Sequence, residues 1–126
     1  MKQIIKTDQA PLPIGPYNQA VVFNGMVFIS GQIALHPVTG NLVLDTIEIE
    51  TRQVLDNVKA VLEASGSSLD KVLKASVFVK DINQFGRINA IYAEYFAEAT
   101  APARELVQVA ELPKFVNIEI SVIAAI

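Results

Sequence analysis

Arg104 and Glu119 are the residues whose types and settings suit them to act together on a small molecule. Arg104 follows Thr100-Ala101-Pro102-Ala103. Pro102 cannot donate to a sheet ladder and biases Ala101 toward extended backbone, so it marks the entrance of an otherwise apolar strand with a guanidinium near its start. Farther on, Val116, Ile118, Ile120, Val122 and Ala124 alternate with Asn117, Glu119 and Ser121, a period-2 strand whose polar face carries Glu119 at its middle. Taken singly, such an arginine is ordinarily a solvated rim residue and such a glutamate faces water. Together they suggest more. A guanidinium grips a carboxylate through two parallel hydrogen bonds, and a carboxylate can handle the proton of a water.

Three further places hold polar groups where a pocket could use them. Pro11, Pro13, Gly15 and Pro16 forbid regular structure ahead of Tyr17, and Asn24-Gly25 is a two-residue hairpin signal because both residues tolerate positive φ. With that turn, paired positions sum to 49, which brings Tyr17 and Ser30-Gly31 to the open end of the hairpin. Asn89 interrupts the apolar stripe of a predicted helix, so its amide either hydrogen-bonds nearby backbone or borders a polar pocket. His36, the sole histidine, sits in a Pro- and Gly-containing turn without ligand-like spacing around it, which speaks against a Ser-His-Asp arrangement or a metal centre.

Composition narrows the classes. A chain of 126 residues, 52% of them hydrophobic, is read as one domain, residues 1–126, large enough to bury a core without staples. The absence of cysteine removes thiol nucleophiles, thiolate metal sites and disulfides, and fits a cytoplasmic setting. No apolar run approaches the roughly 18 residues of a membrane span, so the mean hydropathy of +0.39 is read as buried strands. Ten basic against thirteen acidic residues give a net charge of −3, with no basic run, so neither nucleic acid nor membrane is an expected partner.

The elements that must position these residues are legible as patterns. Asp45 with Glu48 resembles a capping box ahead of a helix whose buried stripe is Val54, Leu55, Val58, Val61 and Leu62, closed by Gly66. Val72–Val79 reads as a strand, and Asp81 or Asn83 caps a second helix with the stripe Phe85, Ile88, Tyr92, Tyr95 and Phe96. The result is an α+β fold: a single mixed β-sheet with two helices on one face. Phe23, Phe28 and Ile123 leave apolar rows on the other face with no element to cover them, which predicts self-association through the sheet.

Ile14-Gly15-Pro16-Tyr17, Ser30-Gly31-Gln32-Ile33, the Asn89 helix, Pro102-Ala103-Arg104, Leu112-Pro113-Lys114 and Ile118-Glu119-Ile120 together resemble the Rid family of YjgF-like imine deaminases across essentially the whole chain. The resemblance implies a chorismate-mutase-like fold, a homotrimer with pockets between subunits, and cofactor-free, metal-free hydrolysis of 2-enamine and 2-imino acids such as 2-aminoacrylate. It also implies roles. Arg104 would bind the substrate carboxylate and Glu119 would orient or activate water. Tyr17, the Ser30-Gly31 backbone, Asn89 and the Leu106 backbone would line the pocket. One departure stands out: many family members carry Cys two residues after the arginine, where this chain has Leu106 after Glu105. A non-catalytic trimer that binds 2-keto acids is the alternative reading, and an RNA-cleaving role is disfavoured by the acidic balance.

Overall fold

A computed structural model describes all 126 residues. Its elements are Gln3–Ile5 (β1), Ala20–Phe23 (β2), Met26–Gln32 (β3), Ile47–Ala64 (α1), Val72–Val79 (β4), Phe85–Tyr95 (α2), Ala103–Gln108 (β5) and Ile118–Ala125 (β6). They build one sheet in the spatial order β1-β2-β3-β6-β4-β5. Every neighbouring pair is antiparallel except β4 and β5, which run parallel and are therefore joined by a crossover, α2. The predicted α+β class and mixed sheet are what the chain forms.

The hairpin forms in the predicted register: Ala20 pairs Ile29 and Phe23 pairs Met26, around Asn24 and Gly25 at φ 50° and 72°. Helix α1 ends as predicted, with Gly66 at φ 80°, the Gly66 amide donating to the Glu63 carbonyl and the Ser67 amide to the Leu62 carbonyl. Its start differs. Thr46, not Asp45, is the cap, accepting from the Ile49 amide, while Glu48 turns away to pair with Arg87. A threonine hydroxyl one residue nearer the helix satisfies the Ile49 amide in place of the Glu48 amide that a cap at Asp45 would take, and the Glu48 carboxylate is left for Arg87. At the second helix Asp81 caps one tight turn, Ile82–Gln84, which leads into α2.

Residues of alternating parity on the strands, among them Val27, Ile29, Ala75, Val77, Ile118, Ile120 and Val122, bury against Val54, Leu55, Val58, Val61 and Leu62 of α1 and Ile88, Ile91 and Tyr92 of α2. Each fully buried Val, Leu or Ile side chain contributes about 1.5–3 kcal/mol on removal from water, so this layer fixes both helices on one face. Two members of the predicted α2 stripe sit higher: Phe85 is exposed and Tyr95 half-buried. The other sheet face stays open over much of its area, and Ile4, Phe23 and Phe28 are exposed there. No helix is long and apolar enough to cross a membrane.

Candidate active site

Glu119 sits mid-strand on β6, between Ile118 and Ile120, which bury against the helices, so its side chain rises from the open face. It pairs across the sheet with Phe78 and packs against Gly31 so closely that a Cβ built on that glycine would lie 2.8 Å from Glu119 Cδ. The approach arises where the β3–β6 register shifts between Ile29 and Gln32, a bulge that swings the Gly31 backbone over the acid. Glu119 and Gly31 line one cleft with Tyr17, Gln19, Gln32, Ile33 and Pro113. Burial pushes the Glu119 carboxyl above its ordinary range. Ser30, next in line, directs its hydroxyl to the Asn18 carbonyl at 2.6 Å, which ties the Tyr17 loop to β3.

Arg104 belongs to the other face. It pairs with the buried Ala75, and its guanidinium lies against α2: Nη1 donates to Asn89 Oδ1 at 2.8 Å, and Cζ stands 4.6 Å from the Tyr92 ring centroid. The amide that interrupts the α2 stripe therefore bonds the Arg104 side chain and not nearby backbone. Arg104 is half-buried and has no acid partner. The chain's other two arginines do, Arg52 with Glu94 and Arg87 with Glu48, each through two hydrogen bonds. Leu106 follows on β5, opposite Val77, with its side chain against the core. Glu105 points to the open face, as its parity predicts, and bonds Lys74 at 2.9 Å. The Lys74 ammonium holds the Glu105 carboxyl below its ordinary range.

The predicted residues thus fall into two groups, Tyr17, Ser30, Gly31 and Glu119 in one, Asn89, Arg104 and Leu106 in the other. Within one chain they cannot share a substrate. Strand β4 lies between β5 and β6, and the pairings of Arg104 with Ala75 and Glu119 with Phe78 set them three residues apart along it. With strands about 4.8 Å apart and about 3.3 Å per residue, the two backbones are separated by roughly 14 Å, with the side chains on opposite faces.

His36 serves its own turn, where its Nδ1 accepts from the Val38 and Thr39 amides at 3.2 and 3.3 Å. Two contributors have roles that the sequence pattern does not announce. Tyr92 presents there only as a core residue. Glu50, fully buried on α1, accepts at 2.8 Å from both the Asn117 backbone amide and the Asn117 side chain, anchoring the approach to Glu119. An acid at a helix position otherwise filled by apolar residues was the available signal for Glu50; nothing local pointed to its partner.

The sequence matches the family described as Endoribonuclease L-PSP over residues 7–126. The 2-iminobutanoate/2-iminopropanoate deaminase of Escherichia coli K12 is 48% identical over 126 residues, with 98% of each chain covered. Among solved structures, a Yersinia pestis protein of the conserved Rid family superposes with a TM-score of 0.97 at 48% identity, covering all of both chains. E. coli TdcF, solved with bound serine, superposes with a TM-score of 0.92 at 45% identity, covering 98% of each chain.

Proposed function

Because this chain belongs to the Rid family, we propose that it is a hydrolase that converts 2-enamine and 2-imino acids, of the 2-aminoacrylate and 2-iminopropanoate kind, to 2-keto acids and ammonia. One observation carries the reading: Arg104 is a half-buried guanidinium held in place yet unmatched by any carboxylate of its own chain. A cation so placed is suited to a ligand's carboxylate, and a bidentate charge-assisted grip contributes about 2–3 kcal/mol while fixing which face of the C=N bond is presented.

The chemistry then needs only water and a proton carrier. The enamine tautomerises to the imine, water adds at C2 as Glu119 takes its proton, and the resulting carbinolamine expels ammonia as the proton is returned to nitrogen. A carboxyl raised above its ordinary range is a stronger base when ionised and a usable acid when protonated. Positioned general catalysis of this kind accelerates such steps by about 10² to 10⁴. Tyr17, the Ser30-Gly31 backbone and the Leu106 backbone close the space around a substrate of three or four carbons.

Since Arg104 stands on the edge strand β5, on the helix side, and Glu119 on the open face of β6, the working pocket draws the two groups from two chains of a homotrimer in which the β5 edge of one chain meets the open sheet face of the next. A mixing experiment tests this together with the activity. Arg104→Ala and Glu119→Gln are each expected to lose about 10²-fold or more of the activity when 2-aminoacrylate is supplied by a serine dehydratase and pyruvate is followed. Co-refolded in equal amounts, they are expected to regain about a quarter of wild-type activity, the share of interfaces in random trimers that receive both intact groups. No recovery, or no acceleration by the wild-type protein, defeats the reading. The second reading, a trimer that binds 2-keto acids without turnover, has one observation in its favour: Arg104 is held by Asn89 without help from Glu119. Binding of 2-oxobutyrate with no imine hydrolysis is its signature.

A further inference from the structure

Helix α2 offers Arg104 a ledge of three side chains, Phe85, Asn89 and Tyr92, spaced to share one helix face. Asn89 Oδ1 takes one hydrogen from Nη1 at 2.8 Å, which fixes the rotation of the guanidinium plane. Tyr92 fixes its height: Cζ lies 4.6 Å from the ring centroid, well inside the range of cation–π attraction, whereas Phe85 at 5.9 Å sits at its limit. Tyr92 is itself buried, 7% exposed and packed on Phe96 at 4.7 Å between centroids. Its hydroxyl is buried without a hydrogen-bond partner, so what the side chain supplies is the ring face.

Resting on the reading of Arg104 as the carboxylate clamp, we propose that Tyr92 is a positioning residue, its ring face holding the Arg104 guanidinium so that the Nε and Nη2 edge is presented to the substrate's carboxylate. The physical reason is directional. An acid partner would occupy the in-plane N–H groups that the ligand needs and would neutralise the charge. A π-face attracts the cation from above the plane, leaving the N–H edge free and the charge uncompensated. Asn89, neutral and accepting a single hydrogen, does the same from one corner.

The test keeps shape constant and changes only the ring's charge distribution. Position 92 is occupied in turn by tyrosine, phenylalanine, and mono-, tri- and pentafluorinated phenylalanine, and KM and kcat for 2-iminopropanoate are measured beside the Kd for 2-oxobutyrate. Tyr92→Phe is expected to stay close to wild type, since it loses only an unpartnered hydroxyl. Along the fluorinated series KM and Kd are expected to rise stepwise, about threefold to tenfold in all, with kcat changing less. In parallel, the Arg104 Hε resonance, identified by its loss in Arg104→Lys, is expected upfield of those of Arg52 and Arg87 because of the Tyr92 ring current. A wild-type protein that hydrolyses the imine and binds the keto acid, but whose KM and Kd ignore fluorination or whose Arg104 resonance is unshifted, overturns the role of Tyr92 alone. One that neither hydrolyses nor binds overturns the clamp on which that role rests.

Discussion

Gly31→Ala separates fold from chemistry more sharply than any other single change. The added Cβ would lie 2.8 Å from Glu119 Cδ, 3.0 Å from Oε2 and 3.1 Å from Cγ. Carbon atoms rest at about 3.5–4.0 Å, so the carboxyl must retreat by roughly 0.7–1.2 Å. The fold can absorb this, because what moves is the end of a flexible side chain: an off-rotamer Glu119 costs about 0.5–1.5 kcal/mol. Gly31 is not among the glycines with positive φ, so alanine fits its backbone and returns about 0.4–1 kcal/mol through a less free unfolded chain. The two terms nearly cancel, and the melting temperature should stay within a few degrees. The proposed reaction should not absorb it: displacing a catalytic group by about 1 Å costs on the order of 10²-fold. Pyruvate release from enzymatically generated 2-aminoacrylate is the assay, with thermal melts alongside. In a Glu119→Gln background the same substitution should cost nothing further, because both changes act through one carboxyl. A stable Gly31→Ala protein with wild-type turnover refutes the argument that Gly31 is a glycine for the sake of Glu119.

Other outcomes follow from the same contacts. Arg104→Lys keeps the charge and loses the fork, so KM for the imino acid should rise about 30-fold or more, the equivalent of roughly 2 kcal/mol, and an unchanged KM would mean the guanidinium is not the clamp. In kcat/KM against pH, the acid limb should lie above the ordinary carboxylate range, since burial raises the Glu119 carboxyl, and it should vanish in Glu119→Gln together with about 10²-fold or more of the rate. Stability should move the other way. An acid whose folded value is raised binds its proton more tightly in the native state, so its contribution falls as pH rises from the unfolded value through the folded one. Glu119→Gln should therefore melt higher than wild type at neutral pH, with the gap closing in acid. Glu50→Gln places an amide nitrogen against one of the two Asn117 donors and should lower unfolding stability by about 1–3 kcal/mol in a denaturant melt; an unaltered midpoint would mean that bond contributes nothing net.

What the sequence disclosed follows the range of the forces that fix each feature. The hairpin register was readable because Asn24 and Gly25 fix it locally, and the face on which Glu119 stands was readable because strand parity is a property of its immediate neighbours. The parity of Glu105 relative to Arg104 was readable for the same reason. The cap of α1 differs from the pattern by one residue: Asp45 and Thr46 both have the chemistry, and in the fold Thr46 takes the Ile49 amide while Glu48 pairs with Arg87 across the two helices. The contacts that matter most for the site were beyond local pattern. Gly31 meets Glu119 because β6 returns to lie beside β3, and Arg104 meets Tyr92 because the β4–α2–β5 crossover folds the helix back over the strand it precedes. Tyr92 carried the signature of a core aromatic, which it also is; a residue that packs on one side and holds a cation on the other shows only its packing in a periodicity.

The separation of Arg104 and Glu119 within a chain has an electrostatic consequence that the same molecule illustrates by contrast. Glu48, gripped by Arg87, has its carboxyl pulled down to about 2, and a carboxylate so stabilised is a feeble base. Had Arg104 and Glu119 been neighbours on one sheet face, they would have made that kind of pair, with the clamp filled and the base quenched at once. Set on opposite faces, Glu119 keeps a carboxyl raised by burial, and Arg104 rests on an amide oxygen and an aromatic ring that leave its charge available. In the proposed trimer, where the β5 edge of one chain meets the open face of the next, the substrate anion between them would take up the guanidinium, so that the acid opposite it would stay basic enough to accept a proton from water. Assembly of the proposed kind would then be more than a way of covering Phe23 and Phe28: it would bring an unspent cation and an unspent base to the same substrate without letting them first neutralise each other.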